Sequence, residues 1–223
     1  MSQKIQGYTL VEMLVAMAVM SIVLAGTYAA YAFFARQQQL ILAQTELSRN
    51  AMRAIDLMQT DIRMAGFKDH ADPDVMQAGQ PIVIAQPDPA DLRLVFDDYD
   101  SSGSVRRMLT RYYTKSYTSA ESGLQRDRIL RQTRRCTDPA AFCDLNNSTS
   151  TTPDPDGEPL LDWVERFIVT GQNAKPSGSF KDQFQTLKVE LILKSPKKLE
   201  GAVKDTTKNF SFVARAKNVS LVP

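Results

Sequence analysis

Residues 4–19 read KIQGYTLVEMLVAMAV, and one acidic residue, Glu12, lies near the start of the apolar run. No charged residue occurs from Met13 to Ala35. A run of about 23 residues would form about 34 Å of helix, enough to cross a bilayer core of about 30 Å. A carboxylate in hydrocarbon costs about 2.5–3.5 kcal/mol at a helix centre unless a partner compensates it. The sequence therefore predicts a membrane-spanning helix with one carboxylate that needs a partner.

The composition is that of a folded protein with one anchor. The 223 residues are 43% hydrophobic, and the net charge of +2 gives no argument for binding nucleic acid or an anionic surface. The sequence has no second apolar run of comparable length. The first run is longer than the apolar part of a cleaved secretory signal, about 7–15 residues, so we expect it to be retained.

A helical pattern continues beyond the apolar run. Apolar residues recur at spacings of three and four, as one face of a helix requires: Leu47, Ala51, Ile55, Met58, Ile62 and Ala65. Gly66 is a plausible left-handed stop. The pattern predicts one long helix ending near Ala65, although periodicity alone also allows two helices broken near Gln37.

The remainder of the chain alternates as strands do. Residues 68–90 read as a connecting loop that contains one short apolar run, 82–84. Alternating or β-branched segments follow at 92–96, 107–113, 128–133, 163–170, 186–194 and 210–214. One long helix followed by about six strands predicts an α+β fold, with an antiparallel sheet packed on the helix.

The N-terminal residues resemble the class III signal of type IV pilins and of type II secretion pseudopilins. The likeness lies in a short basic leader with Lys4, then Gly7, an aromatic Tyr8, and Thr-Leu-Val followed by Glu12. It implies that a prepilin peptidase cuts between Gly7 and Tyr8 and methylates the new amine. It also implies that Glu12 pairs with that amine on a neighbouring subunit, which would supply the missing partner.

The same resemblance implies a domain organisation and a location. Residues 1–7 would be the prepilin leader, 8–36 the transmembrane and filament-core half of the helix, and 37–223 a periplasmic head that includes the amphipathic second half. The protein would be a single-pass inner-membrane protein that later enters an extracellular pilus. Its partners would be other minor pilins, the major pilin, the prepilin peptidase and the inner-membrane assembly platform.

Four further segments resemble the PilW type of minor pilin. They are DIRMAGF at 61–67, a tyrosine-rich segment at 111–113 followed by a basic one at 129–133, and DWVERF at 162–167. This likeness implies a role in priming a type IV pilus or forming its tip complex. Two alternatives stay open, namely a J-like minor pseudopilin of type II secretion and a membrane-anchored periplasmic binding or DNA-uptake protein.

Two cysteines, Cys136 and Cys143, predict a disulfide if the head is periplasmic. A disulfide that closes a loop this short would stabilise the folded head by about 2–3 kcal/mol. The alternative is two free thiols, and a metal site is disfavoured because no histidine lies nearby.

An acidic segment allows two interpretations. Asp98, Asp100 and Ser102, with Gly103 after them, match the first half of an EF-hand-like calcium loop. The twelfth position is Leu109 where a full EF-hand has a bidentate glutamate. The same residues make an ordinary hairpin turn, which we favour over calcium binding.

Catalysis is not indicated. The one histidine, His70, falls in a polar segment, and no G-x-S-x-G, P-loop or paired-carboxylate signature occurs, so we expect no enzyme and no cofactor. A basic run could contact DNA, but at strand spacing it divides between two faces and contains Asp127. We therefore expect a solvated or subunit-contacting surface at Arg126, Arg128, Arg131, Arg134 and Arg135.

Processing at Gly7 is directly testable. The intact mass of the protein isolated from its host should lack residues 1–7 and include one methyl group on the amine of Tyr8. A chain that still begins at Met1, in cells with an active prepilin peptidase, would contradict the pilin interpretation.

The disulfide is testable by non-reducing peptide mapping, which should recover one peptide pair linked through Cys136 and Cys143. Reduction should then lower the melting temperature of the protein. Free alkylation of both thiols in material taken from the periplasm would rule the linkage out.

Overall fold

The computed structural model describes residues 9–67, 82–118, 123, 125–136, 157–172, 186–194 and 207–216. The chain divides into two compact units, Met1–Thr45 and Glu46–Pro223. Within the described ranges, one helix and seven strands follow one another: α1 Leu10–Met64, β1 Ile82–Pro87, β2 Ala90–Tyr99, β3 Val105–Thr118, β4 Gln125–Arg135, β5 Glu158–Gln172, β6 Thr186–Lys194 and β7 Thr207–Arg215.

The long helix is continuous, with no break near Gln37. All six residues of the predicted apolar stripe are buried. The helix ends as predicted at Gly66, whose φ of 78° is the left-handed conformation that glycine adopts without steric cost. The Gly66 amide then donates to the Val95 carbonyl at 2.9 Å, so the end of α1 is hydrogen-bonded to β2.

The strands form one antiparallel sheet in the order β1-β2-β3-β4-β5-β6-β7, so each strand pairs with its neighbours in the chain. The sheet is curled, and β1 and β2 also contact β5. Arg166 of β5 contributes to this contact. Its Nε donates to Asp88 Oδ2 at 3.0 Å, and Asp88 lies in the turn between β1 and β2.

The described residues form seven strands, where the sequence predicted about six. The additional strand is β1, which the sequence analysis treated as an apolar run within a loop. It is an edge strand, and Ile82 is its one buried residue. Its pattern is therefore too short to stand out. The clearest predicted strand, β6, is confirmed at its predicted bounds, with buried residues at every second position.

The core lies between the second half of α1 and one face of the sheet. Its largest fully buried side chains include Met58 and Ile62 from the helix, and Leu92, Leu94, Tyr112, Ile129, Phe167, Leu187, Leu191 and Leu193 from the strands. Burial of this apolar surface, at about 25 cal/mol per Å², is the main favourable contribution to folding.

A polar network lies within this core. The Tyr112 hydroxyl donates to Asp61 Oδ2, and Arg131 Nε donates to the same oxygen at 3.0 Å. Tyr112 is fully buried and Asp61 is 5% exposed. Burial, together with the charge of Asp61, raises the pKa of Tyr112 far above its ordinary value, so the hydroxyl stays protonated and donates. The network fixes which face of the helix meets β3 and β4.

Removing the charged donor should cost more than removing the neutral one. Arg131→Met leaves a buried carboxylate without its cation, and we expect the free energy of unfolding to fall by about 3 kcal/mol. Tyr112→Phe removes one hydrogen bond and should cost about 1–2 kcal/mol. Thermal unfolding of the full chain in detergent, followed by far-UV circular dichroism, measures both.

Arg135→Met is the matched control, because Arg135 is an exposed arginine on the same strand. It should change the unfolding free energy by no more than about 0.5 kcal/mol. Equal losses in the Arg131 and Arg135 variants would show that the network does not anchor the helix.

Candidate functional site

The N-terminus of α1 is closed by a reciprocal cap. The Thr9 backbone N–H donates to Glu12 Oε2 at 2.8 Å, and the Glu12 N–H donates to Thr9 Oγ1 at 3.3 Å. The Thr9 hydroxyl also donates to Glu12 Oε2 at 3.0 Å. This is a capping box, in which the N-cap residue and the third helical residue satisfy each other's backbone N–H groups.

The cap uses one oxygen of the Glu12 carboxylate. All hydrogen bonds that Glu12 accepts from the described residues end on Oε2. The side chain is exposed. Oε1 is therefore in a position to accept from a group outside this chain, while the negative charge also lies at the favourable end of the helix dipole.

The other polar side chains of the apolar run are satisfied within the helix. Ser21 Oγ donates to the Met17 carbonyl at 2.7 Å, and Thr27 Oγ1 donates to the Val23 carbonyl at 2.8 Å. Such back-bonding lets a hydroxyl enter hydrocarbon at low cost. Glu12 thus differs from them, because the helix satisfies only part of its carboxylate.

By length and composition, one helix among the described residues could cross a membrane. It is α1, whose most apolar 18-residue stretch has a mean hydropathy of 2.1 and is 0% buried within the chain. Large apolar side chains between Met13 and Ala35, such as Leu14, Ile22 and Phe34, are more than half exposed. A lipid or a helix from another subunit would remove this surface from water.

The predicted processing residues, Gly7 and Tyr8, lie outside the described residues, as does Cys143. Cys136 directly follows β4, and its backbone N–H donates to the Arg107 carbonyl at 2.9 Å. The disulfide between Cys136 and Cys143 stays a prediction.

The acidic segment forms the favoured hairpin turn, between β2 and β3. Asp100 Oδ1 accepts from the backbone N–H groups of Ser102 and Ser104, each at 2.9 Å, and Asp100 Oδ2 pairs with Arg106. The pKa of Asp100 is lowered most by a hydrogen bond that the Ser102 hydroxyl donates to Oδ1, and further by the bonds from these other donors. Gly103 takes the left-handed conformation, with φ 79°.

Calcium binding at Asp98, Asp100 and Ser102 stays an untested prediction. In the part of the chain that the structure describes, no three His, Cys, Asp or Glu side chains are grouped so as to hold a metal ion. Asp98 Oδ1 accepts from the Tyr99 backbone N–H at 2.9 Å. The turn therefore accounts for the carboxylates of Asp98 and Asp100 with local donors.

The basic run of β4 does not act as one surface. Arg131 reaches the buried Asp61, as described above, and Arg128 Nε lies 3.1 Å from Asp162 Oδ1 on β5. Arg135, at the end of the strand, is exposed. A continuous cationic face of the kind that binds a nucleic-acid backbone is not formed by these three residues.

Glu12 was predicted from the sequence as a site residue, whereas the role of Thr9 as its capping partner was not. The signal was present, because Thr-x-x-Glu immediately before an apolar run is the spacing of a capping box.

The Prokaryotic N-terminal methylation motif matches residues 2–28. The match includes Gly7, Tyr8, Thr9 and Glu12, and so covers the capped end of α1 together with the predicted processing site. No curated protein and no solved structure matches the chain.

Proposed function

We propose that this chain, which the methylation motif and the α+β architecture mark as type IV pilin-like, is a PilW-type minor pilin. In this role it primes assembly of a type IV pilus or forms part of its tip complex. Its work is helix packing between subunits, with no catalytic chemistry of its own. The segments at 61–67, 111–113, 129–133 and 162–167 support the PilW assignment through their resemblance to that type.

The position of Glu12 carries the proposal. Removal of residues 1–7 would leave a methylated amine on Tyr8, four residues before Glu12. The capping box holds Glu12 by Oε2. In the proposed assembly, Oε1 accepts a hydrogen bond from the Tyr8 amine of a neighbouring subunit. An isolated carboxylate is penalised in lipid, and docking beside a cation relieves that penalty. The penalty thus favours association in one axial register.

Location and partners follow from the same mechanism. The leader is cut by the prepilin peptidase, α1 anchors the protein in the inner membrane, and the head is periplasmic until the subunit enters a pilus. The helix packs against other minor pilins and the major pilin at the inner-membrane assembly platform.

A J-like minor pseudopilin of type II secretion is the second candidate, because the same N-terminal motif supports both roles. The two differ in their partners, so recovery of pilus minor pilins or of secretion pseudopilins with the tagged protein separates them. A simply anchored periplasmic binding or DNA-uptake protein would need no processing at Gly7.

Charge and capping can be tested separately at Glu12. Glu12→Ala removes both, whereas Glu12→Gln removes the charge and keeps a capping-box residue. Thr9→Ala keeps the charge and removes the N-cap, at a cost of about 1 kcal/mol to the helix end. We expect both Glu12 variants to insert in the membrane and to lose assembly, because the amine of a neighbouring Tyr8 then has no carboxylate to pair with in a low-dielectric setting.

The measurements are co-purification with the other minor pilins and counts of pili per cell in the host. Thr9→Ala should retain most of both. If Glu12→Gln assembles like the wild type while Thr9→Ala fails, the carboxylate serves the helix cap and not docking. Wild-type piliation in Glu12→Ala would refute the mechanism altogether.

A further inference from the structure

A polar cleft lies where β3, β4, β5 and β6 come together. It has a volume of about 340 Å³, within the range of small-molecule sites. The lining residues that bear on ligand binding are Ser116, Arg126, Asp127, Trp163, Glu165 and Lys194. None of them takes part in the N-terminal site described above.

The backbone at the cleft is irregular on both sides of β5. Between the pairs Asp127–Val164 and Ile129–Leu161 the register shifts, so that Arg128 faces two residues of β5. The register against β6 shifts again between Val164 and Arg166. Bulges of this kind re-aim side chains and recur beside functional sites.

Trp163 lies in the first of these bulges with a φ of 66°. A bulky residue rarely adopts this left-handed conformation, because its side chain then crowds the backbone. Its ring is partly buried against the core. The chain's single tryptophan therefore lies between the core and the polar cleft, in a backbone conformation that bulky residues rarely adopt.

Two arginines approach the aromatic rings here, and they differ in how firmly they are held. Arg128 lies 3.7 Å from the Tyr117 ring centroid and also pairs with Asp162. Arg126 lies 6.0 Å from the Trp163 ring centroid, at the outer limit of a cation–π contact. The buried Nε atoms of both arginines have no hydrogen-bond partner among the described residues, and of the two it is Arg128 that has an ion pair with Asp162. Arg126 lines the cleft and is therefore the arginine that a ligand would meet.

The charges of the lining select a ligand class. Arg126 and Lys194 contribute two cations, and Asp127 and Glu165 contribute two anions, so the lining is neutral overall. A polyanion such as single-stranded DNA requires a basic groove. Alternating donors and acceptors beside a flat ring instead match a neutral molecule with many hydroxyl groups, since each hydroxyl both donates and accepts.

We propose that this cleft binds a neutral saccharide. The C–H face of a sugar ring packs on Trp163, Arg126 and Lys194 donate to its hydroxyl oxygens, and Asp127 and Glu165 accept from its hydroxyl groups. The site belongs to the sheet, and it does not depend on the proposed role in pilus assembly.

The single tryptophan makes the proposal measurable, because intrinsic emission at Trp163 reports on the cleft directly. The full chain is purified in a detergent without a sugar headgroup and titrated with maltotetraose, cellotetraose and N-acetylchitotetraose. We expect a saturable change in emission with at least one of them, and calorimetry should give the same Kd. No saturable response to any of the three would overturn the proposal.

Arg126→Gln and Glu165→Gln should each raise that Kd at least tenfold, with far-UV circular dichroism unchanged. Arg135→Gln, on the same strand but away from the cleft, is the matched control and should bind as the wild type does. Unchanged binding in both cleft variants, or displacement of the sugar by oligo(dT) at equal concentration, would refute a saccharide site.

Discussion

The buried carboxylate of Asp61 is the constraint on which the packing of helix against sheet depends. A charge at this depth is tolerated because Tyr112 and Arg131 both donate to it. Those donors come from two adjacent strands, so the helix can meet the sheet with only one face and at one level. A shift by one residue along either strand would turn its donor toward the opposite side of the sheet. The apolar core supplies most of the stability, and this network supplies its uniqueness.

Glu12 and Asp61 are two carboxylates on one helix, and they differ in how completely hydrogen-bond donors of the same chain satisfy them. Asp61 finds its partners within the chain and thereby fixes the fold. Glu12 receives hydrogen bonds on one oxygen, Oε2, from Thr9, and its side chain is exposed. The requirement that a desolvated charge be paired is met within the molecule at Asp61, and under the proposed function it would be met between molecules at Glu12.

How much of the fold and of the candidate site could be predicted depended on how regular the hydrophobic pattern is in each segment of the sequence. The helix stripe and β6 were predictable because each buries one face over a long span. The helix end at Gly66 was predictable because few residues other than glycine adopt its left-handed conformation. Edge strand β1 was missed because one buried residue makes no pattern. The partners of Asp61 lie 51 and 70 residues away, a distance at which no local pattern reports contact. The irregular start of β5 broke the alternation on which strand prediction rests, and so concealed the cleft at Trp163.

The strictly sequential order of the strands has a consequence for biogenesis. Every strand from β2 onward pairs with the one made just before it, so hairpins can form progressively as the polypeptide emerges. Synthesis from the N-terminus delivers α1 first, and Arg131 on β4 arrives to complete the pairing of Asp61 before β5 exists. The helix can thus be captured by a partial sheet, which limits how long its apolar stripe stays exposed to aggregation or proteolysis. The chain's topology therefore allows the sheet to be built on the helix one strand at a time, in the order of synthesis.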